Sequence, residues 1–377
     1  MRRRHILVVG AGPVGTVAAL ACAQRGHHVT LLEAQEKIDD SPRASTTQPP
    51  TLEILAELGL IDEYIRVGLV SRTFQFWDRD ARKLAAEFDF ERLRDETPYP
   101  FVVQTEQHKL ASMCVSRLEG NVRFGVSVTN VSQDEKQVRI ETNQEAFTAD
   151  YVIGADGGRS TVRKSLGIEF EGYTWPERFL VITTKFDFEK ALGCCFRNYM
   201  AGKEEWTNLF KVAGDDLKGR WRAVYNTRPD ESDEEALSEK AVRARLARVH
   251  APKADWVHLN LYNVHQRVAK QFRKGRVFLC GDAAHVNNPI GGLGLNSGIH
   301  EAWDLAQLLS GDGDLDAYEQ RRRPLNIKYV QEQTVANKKR LEERRLDELR
   351  EAAADPARHK AFLMRASLLE SVRQLTR

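Results

Sequence analysis

The sequence predicts an α/β fold with an inserted β-sheet unit and a helical tail, and three observations carry the prediction. A short apolar strand at the N-terminus runs into a glycine-rich turn and a helix of small residues. The same strand-to-glycine pattern returns near residues 155 and 281. Between residues 168 and 270 the pattern changes to short alternating strands.

His5-Ile6-Leu7-Val8-Val9 is β-branched and apolar and reads as a buried parallel strand. Gly10-Ala11-Gly12-Pro13-Val14-Gly15 follows at once, then a helix from Thr16 to Gln24 that Gly26 closes. His28–Leu32 is the next strand and ends on Glu33. This is a Rossmann-type βαβ dinucleotide fingerprint. Gly10 permits the tight turn, Gly12 lets backbone amides approach a pyrophosphate, and Gly15 lets helix and strand pack closely. The helix N-terminus offers unpaired N–H groups to the phosphates. Glu33 would accept from ribose hydroxyls, and its charge opposes a 2′-phosphate there.

Composition removes other classes. Lys plus Arg number 56 against 54 Asp plus Glu, a net charge of +2, which carries no basic field for nucleic acid. No stretch reaches the ~18 uncharged apolar residues of a spanning helix. The basic start, Arg2-Arg3-Arg4, leads into glycines and a proline rather than a signal peptide's apolar run. Cys22, Cys114, Cys194, Cys195 and Cys280 lack CxxC spacing and read as reduced thiols of a cytoplasmic protein, with neither disulfide nor metal site.

Tyr151-Val152-Ile153-Gly154-Ala155-Asp156-Gly157-Gly158-Arg159-Ser160-Thr161-Val162-Arg163 is a second strand, turn and basic helix start. Gly281-Asp282-Ala283-Ala284-His285 follows an apolar strand and leads through Asn288-Pro289-Ile290-Gly291-Gly292-Leu293-Gly294-Leu295-Asn296 to a helix over Ser297–Leu309. GxGxxG, GADGxxSxVR and GDAAHxxxPxGGxGxN in this order make residues 5–330 resemble the single-component FAD-dependent aromatic hydroxylases, the flavoprotein monooxygenases of the p-hydroxybenzoate hydroxylase type.

That resemblance implies a Rossmann-like FAD-binding domain from residues 1–70, 100–170 and 271–325, a β-sheet substrate domain from 71–99 and 171–270, and a C-terminal helical segment over 326–377. It implies FAD as cofactor, NAD(P)H as co-substrate, and O2 and a small aromatic compound as substrates. The hydroxylation would proceed through a flavin C4a-hydroperoxide. It places Gly10, Gly12, Gly15 and Glu33 at the ADP half of FAD, Arg43 near the flavin and pyrophosphate, and Gln107 on the cofactor, with Gln104 as the other register. Val128 would lie against adenine, Asp156 near the pyrophosphate, and Asp282 on the ribityl hydroxyls. Leu295 and Asn296 would offer backbone N–H to the flavin's pyrimidine edge, where an anionic reduced flavin favours a helix N-terminus. Gly294 and its neighbours let the backbone lie flat against the ring. Pro289, which cannot donate a hydrogen bond, suits the wall of a dry pocket.

The chain departs from the family pattern at Asn288, where a second proline is common and where pocket shape would change. It departs also at Glu301 and Asp304, which read as changes at the surface or one layer behind the cofactor. In the middle segment Phe179–Thr183, Cys194–Met200, Trp206–Phe210 and Trp221–Tyr225 read as strands of one sheet with Thr73–Trp77, roofing flavin and substrate. Asp230–Val249 reads as one helix outside it. Arg197, Tyr199, Arg222 and Tyr225 lie on strands and are candidates for substrate contact. An arginine would anchor a carboxylate, and Tyr225, Tyr199 or His265 would assist deprotonation of a phenol. The same residues read equally as solvated or packed strand positions. The charged tail after Arg321 reads as helices that fold back or join a partner, in a monomer or homodimer. A halogenase of the same fold and a non-catalytic scaffold of the Rab-escort kind are the alternatives. No WxWxIP segment supports the first, and the retained Asp282, Pro289 and glycine loop oppose the second.

Overall fold

The structure is a computed structural model, and it describes residues 3–41, 43–311 and 313–375. The strand His5–Val9 lies inside a six-stranded sheet, flanked by Tyr151–Gly154 and His28–Leu32 in parallel register, with Val277–Leu279 and Val122–Arg123 beyond them. Ile6, Leu7 and Val8 are wholly buried, as the continuous apolar run requires of a parallel strand covered on both faces. The helix begins at Pro13, earlier than Thr16, because a proline in the first turn gives up an N–H that has no intrahelical partner anyway. It packs along Gly294–Ser310, so the two glycine-rich turns meet at one end of the sheet. A three-stranded antiparallel sheet, Val128–Gln133, Val138–Thr142 and Phe147–Ala149, adds Val131, Val138 and Ile140 to the same core.

The middle segment forms an eight-stranded sheet in the order His285–Val286, Trp256–Ala269, Phe170–Thr184, Arg220–Asn226, Thr207–Val212, Arg197–Ala201, Thr73–Asp78 and Lys83–Asp89. Its two faces have separate cores. On one, Trp221, Ala223 and Tyr225 pack with Leu180, Ile182 and Leu209 beneath Val242 and Leu246 of the helix Glu239–Arg248. On the other, Val224, Phe179, Val181, Tyr199, Phe74 and Phe76 meet Leu341, Leu346, Leu349, Leu363 and Leu369 of the tail. The tail therefore folds back on the body.

The single helix read over Asp230–Val249 is in fact two, Asp233–Leu237 and Glu239–Arg248. Ser238 between them is extended, and its hydroxyl caps the second helix at the Ala241 N–H. In the tail, Pro324 lacks an N–H, and the turn immediately after it, Ile327–Gln331, widens to a π-helix. Asp355 ends one helix and caps the next at Arg358. No helix among the described residues is long and apolar enough to cross a membrane.

Candidate active site

Where the glycine turns converge, the protein encloses a cavity of about 650 Å³, a volume suited to a whole organic cofactor. Gly10, Gly12, Glu33, Arg43, Gln107, Val128, Asp156, Asp282 and Leu295 all line it. These residues come from eight separate places in the chain, and the family resemblance assigns all of them to one ligand.

The glycines divide their work. Gly10 sits at φ +101°, and a Cβ there would lie 2.5 Å from the Ala155 carbonyl oxygen. Gly15 packs directly on the Gly10 carbonyl, and a Cβ there would collide with it. Gly12 is different, because among the described residues no atom beyond its own chain neighbours and the backbone of its own helix lies within 4 Å of where its Cβ would stand. Its backbone is ordinary and extended (φ −66°, ψ 173°). The protein alone does not require glycine at that point, so a ligand that approaches the backbone supplies the reason. That open space is compatible with a dinucleotide lying close to the backbone.

Glu33 is poised at the end of its strand. One oxygen accepts from the Ala11 N–H at 2.6 Å and the other from the Gln35 N–H at 2.9 Å, which fixes the carboxylate at the cavity edge. Asp156 accepts from the Ser160 hydroxyl at 2.5 Å and the Val162 N–H at 3.1 Å, capping the short helix Thr161–Ser165. Burial pushes its pKa up despite those donors. Arg163 does not face the ligand. It donates to the carbonyls of Ala283 and Gly158, both at 2.8 Å, and stacks over Phe170, so it clamps the second glycine turn to the third.

Asp282 opens onto the cavity, although protein surrounds it on the other sides. That enclosure pushes its pKa up, and His285 and Arg43 pull it down. Behind it, Glu301 is fully buried and accepts from the Gly281 N–H at 2.9 Å and the Ser297 hydroxyl at 3.0 Å, and it pairs with His285 Nε2 at 2.8 Å. Burial works against the charged imidazole, but Glu301 outweighs it and raises the His285 pKa. Asp304 is also buried, and it pairs with Arg322 at 2.9 Å. Neither residue is at the surface: Glu301 holds the turn that carries Asp282, and Asp304 pairs with Arg322 farther along the same helix.

The helix Gly294–Ser310 makes its first intrahelical bond from the Ser297 N–H to the Leu293 carbonyl at 2.9 Å. The amides before Ser297 are thus the free donors of the N-terminus, beside Leu295 in the cavity wall. The Asn296 side chain is a brace. It donates to Thr46 and Gly292 carbonyls and accepts from the Gln48 N–H and the Thr51 hydroxyl. Gly294 faces Asn287, whose side-chain oxygen lies 2.7 Å from the missing Cβ. Gln104, the other register, is buried and accepts from the Thr46 hydroxyl; Gln107 lines the cavity.

A second cleft adjoins the loop. Phe74, Phe76, Phe90 and Phe362 form its walls, with Arg197, Tyr199, Asn337, Arg340, Ile290 and Gly291. The loop Pro289–Leu295 therefore borders both spaces, the aromatic cleft of about 30 Å³ at Ile290 and Gly291 and the larger cavity at Leu295. Pro289 itself is exposed and accepts from the Gly292 N–H at 3.0 Å, shaping the turn rather than forming a wall. Asn288 is buried. Its backbone N–H donates to Gln266, and Gln266 donates in turn to Gln331 and Thr334 beside the π-helical turn. This ties the loop to the tail in a way that a second proline, lacking the N–H, would not allow.

Two candidate residues need correcting. Tyr225 is wholly buried on the far face of the sheet, with its hydroxyl donated to the Arg245 carbonyl at 2.8 Å. Strand alternation turns it away from the cleft, so it is a core residue. His265 is exposed and bonded to Thr174 at 2.8 Å, while its neighbours Val264 and Gln266 face inward. It touches neither cavity. Arg222 is buried on the inner face, but its Nη1 donates to the Arg43 carbonyl at 2.6 Å, which links the sheet to the cofactor cavity.

The family described as "FAD binding domain" matches residues 3–333. Over 350 residues the chain is 33% identical to the para-nitrophenol 4-monooxygenase of Pseudomonas sp. (strain WBC-3), covering 88% of this chain and 86% of that one. It is 31% identical over 361 residues to 6-hydroxy-3-succinoylpyridine 3-monooxygenase HspB of Pseudomonas putida (strain DSM 28022 / S16), covering 90% and 89%. The crystal structure of p-nitrophenol 4-monooxygenase PnpA from Pseudomonas putida DLL-E4 matches at a TM-score of 0.89 and 31% identity, over 96% of this chain and 97% of that one. Open glycine cradle, buried carboxylate network and whole-chain likeness agree: the chain belongs to the FAD-binding-domain family and is an FAD-dependent monooxygenase of aromatic compounds.

Proposed function

We propose that the protein uses NAD(P)H and O2 to hydroxylate a small, electron-rich single-ring aromatic compound that binds beside the loop Pro289–Leu295, where the phenylalanine-walled cleft of about 30 Å³ would have to widen to admit a ring. The observation that carries this reading is the shared loop: Ile290 and Gly291 border the aromatic cleft while Leu295 borders the cofactor cavity. A flavin in the cavity and a ring at the cleft would meet at the two ends of that loop. The relatives' names, a nitrophenol and a hydroxypyridine monooxygenase, point to substrates of this size.

FAD, when bound, supplies the redox chemistry, taking a hydride and activating O2. Gly10 and Gly12 and the helix starting at Pro13 would hold the pyrophosphate, Glu33 the ribose, and Asp282 the ribityl chain. Amides opening the Gly294–Ser310 helix would place donors where negative charge develops. Arg222 fixes the Arg43 backbone at the cavity. The four phenylalanines exclude water and orient the ring, and the Tyr199 hydroxyl is a polar group within the cleft.

The test is NAD(P)H oxidation by the FAD-loaded protein across hydroxy-, nitro- and amino-substituted aromatics, with peroxide measured in parallel. The reading expects at least one compound to accelerate oxidation while little peroxide accumulates. A slow, peroxide-yielding rate that no aromatic changes would refute it.

A further inference from the structure

We infer that Gln266 is a positioning residue for the reaction: it fixes the loop Pro289–Leu295 against the inserted sheet and the tail at once, and so sets where the flavin's edge stands relative to the ring. The inference rests on the proposed function only in taking the Ile290–Gly291 end of the loop as the place where a ring arrives.

Gln266 lies on the strand Trp256–Ala269 and is 5% exposed. Its side-chain oxygen accepts from the Asn288 N–H at 3.1 Å, from Asn288 Nδ2 at 3.3 Å and from Trp175 Nε1 at 3.4 Å. Its Nε2 shares two hydrogens among the Gln331 carbonyl at 3.2 Å, Gln331 Oε1 at 2.7 Å and the Thr334 hydroxyl at 3.2 Å. The partners' chemistry dictates which way the amide points. A backbone N–H and an indole N–H can only donate, and a backbone carbonyl can only accept. Oxygen therefore faces the loop and nitrogen faces the tail. Burying an amide is unfavourable unless its groups are paired, and no buried side-chain polar atom of Gln266, Asn288, Gln331 or Thr334 lacks a partner. Such a fully satisfied network specifies one arrangement.

The tail holds the loop at further points. Gln331 Nε2 donates to the Val286 carbonyl at 3.3 Å, and Asn337 Nδ2 donates to the Ile290 carbonyl at 3.1 Å. Gly291 has φ +116°, and a Cβ there would lie 2.8 Å from Asn337 Nδ2, so loop and tail meet without slack. Gln331 closes the π-helical turn Ile327–Gln331, and such turns interrupt an α-helix most often at functional sites. A second proline at position 288 would stiffen the loop through its ring but could not donate to Gln266. In this chain the amide clamp does that work. Reacting groups misplaced by about 1 Å can lose roughly a hundredfold in rate, and a loop that borders both spaces is where such an error would enter.

The experiment compares FAD-loaded wild type, Gln266→Met and Gln266→Glu. Methionine is similar in length and makes neither set of bonds, whereas glutamate keeps the acceptor for Asn288 and loses the donors to the tail. The readouts are hydrogen exchange over residues 286–296, the visible circular dichroism of the bound flavin, and peroxide released per NAD(P)H oxidised with 4-nitrophenol as the probe. Gln266→Met should speed exchange in that segment about tenfold and change the flavin's dichroism. It should also raise peroxide per NAD(P)H about twofold or more, while FAD affinity stays within about threefold of wild type. Gln266→Glu should fall between the two, and it carries the same readouts if Gln266→Met does not fold. Adding Asn288→Pro to either variant should do less harm than Asn288→Pro alone, because both changes break one bond. Variants that only lower the unfolding temperature, with loop exchange and flavin dichroism as in wild type, make Gln266 a packing residue and overturn the inference. Full additivity with Asn288→Pro overturns it too. Exchange and dichroism need no aromatic compound, so they decide the matter even if wild type ignores 4-nitrophenol, a result that would count against the proposed substrate instead.

Discussion

Replacing Glu301 with alanine removes the acceptor on which the third glycine turn depends. Three groups lose their partner at once: the Gly281 N–H, the Ser297 hydroxyl and the His285 imidazole, all within 3.0 Å of a carboxylate that is fully buried. Breaking one side of a buried ion pair costs about 3–5 kcal/mol, because the remaining charge is left without compensation. Glu301→Gln should cost less, roughly 1–3 kcal/mol. Its oxygen still serves Gly281, and its amide can donate to His285 if the ring adopts the other tautomer. The assay is urea unfolding at fixed, saturating FAD, read at several pH values. His285 has a folded-state pKa raised by Glu301. The pair's added stability is therefore fully present below the unfolded histidine value, about 6.5, and is lost as pH rises through the raised one. The gap between wild type and Glu301→Ala should accordingly narrow as pH rises. A loss under about 1 kcal/mol would refute the reasoning, and so would a gap that widens with pH.

Gly12→Ala should leave the FAD-free protein as stable as wild type or slightly more so, by about 0.4–1 kcal/mol, since its backbone angles suit alanine and its Cβ meets nothing; FAD affinity should nonetheless fall in a fluorescence titration. Asp282→Ala should weaken FAD by roughly 1.5–3 kcal/mol, about tenfold to a hundredfold, if a charged acceptor to the ribityl chain is lost; unchanged affinity would remove that residue from the site. Tyr225→Phe should lower stability by about 0.5–1.5 kcal/mol through the lost bond to Arg245 and leave kcat/KM untouched. A selective loss of kcat would restore Tyr225 to the site.

The cofactor half of the site was legible because local constraints write it into contiguous residues. A turn that allows only glycine at Gly10 and a helix start at Pro13 must follow the strand His5–Val9 directly, and that strand and His28–Leu32 lie where the sequence put them. Four strands of the inserted sheet were legible to within a few residues, but Phe170–Thr184 starts well before the Phe179 read for it, Lys83–Asp89 and Trp256–Ala269 were not read as strands, and the faces were not legible. Tyr225 and Arg222 are three positions apart on one strand and end on opposite sides of the sheet, and only the helix Glu239–Arg248 decides which side is core. His265 was misread for the same reason. The Asn296 side chain is contacted by groups that no short motif contains, Thr46 and Thr51 some 250 residues away in the chain. The aromatic cleft is legible only in three dimensions, since Phe74 and Phe76 stand on a strand and Phe362 on a tail helix.

The most direct test of the whole account is mass spectrometry of the product formed by FAD-loaded protein, NAD(P)H and 18O-labelled O2 with the compound that best stimulates oxidation. The account predicts a hydroxylated ring carrying a single labelled oxygen, formed in proportion to NAD(P)H consumed. Label found only in peroxide and water, with the aromatic compound recovered unchanged, would contradict it.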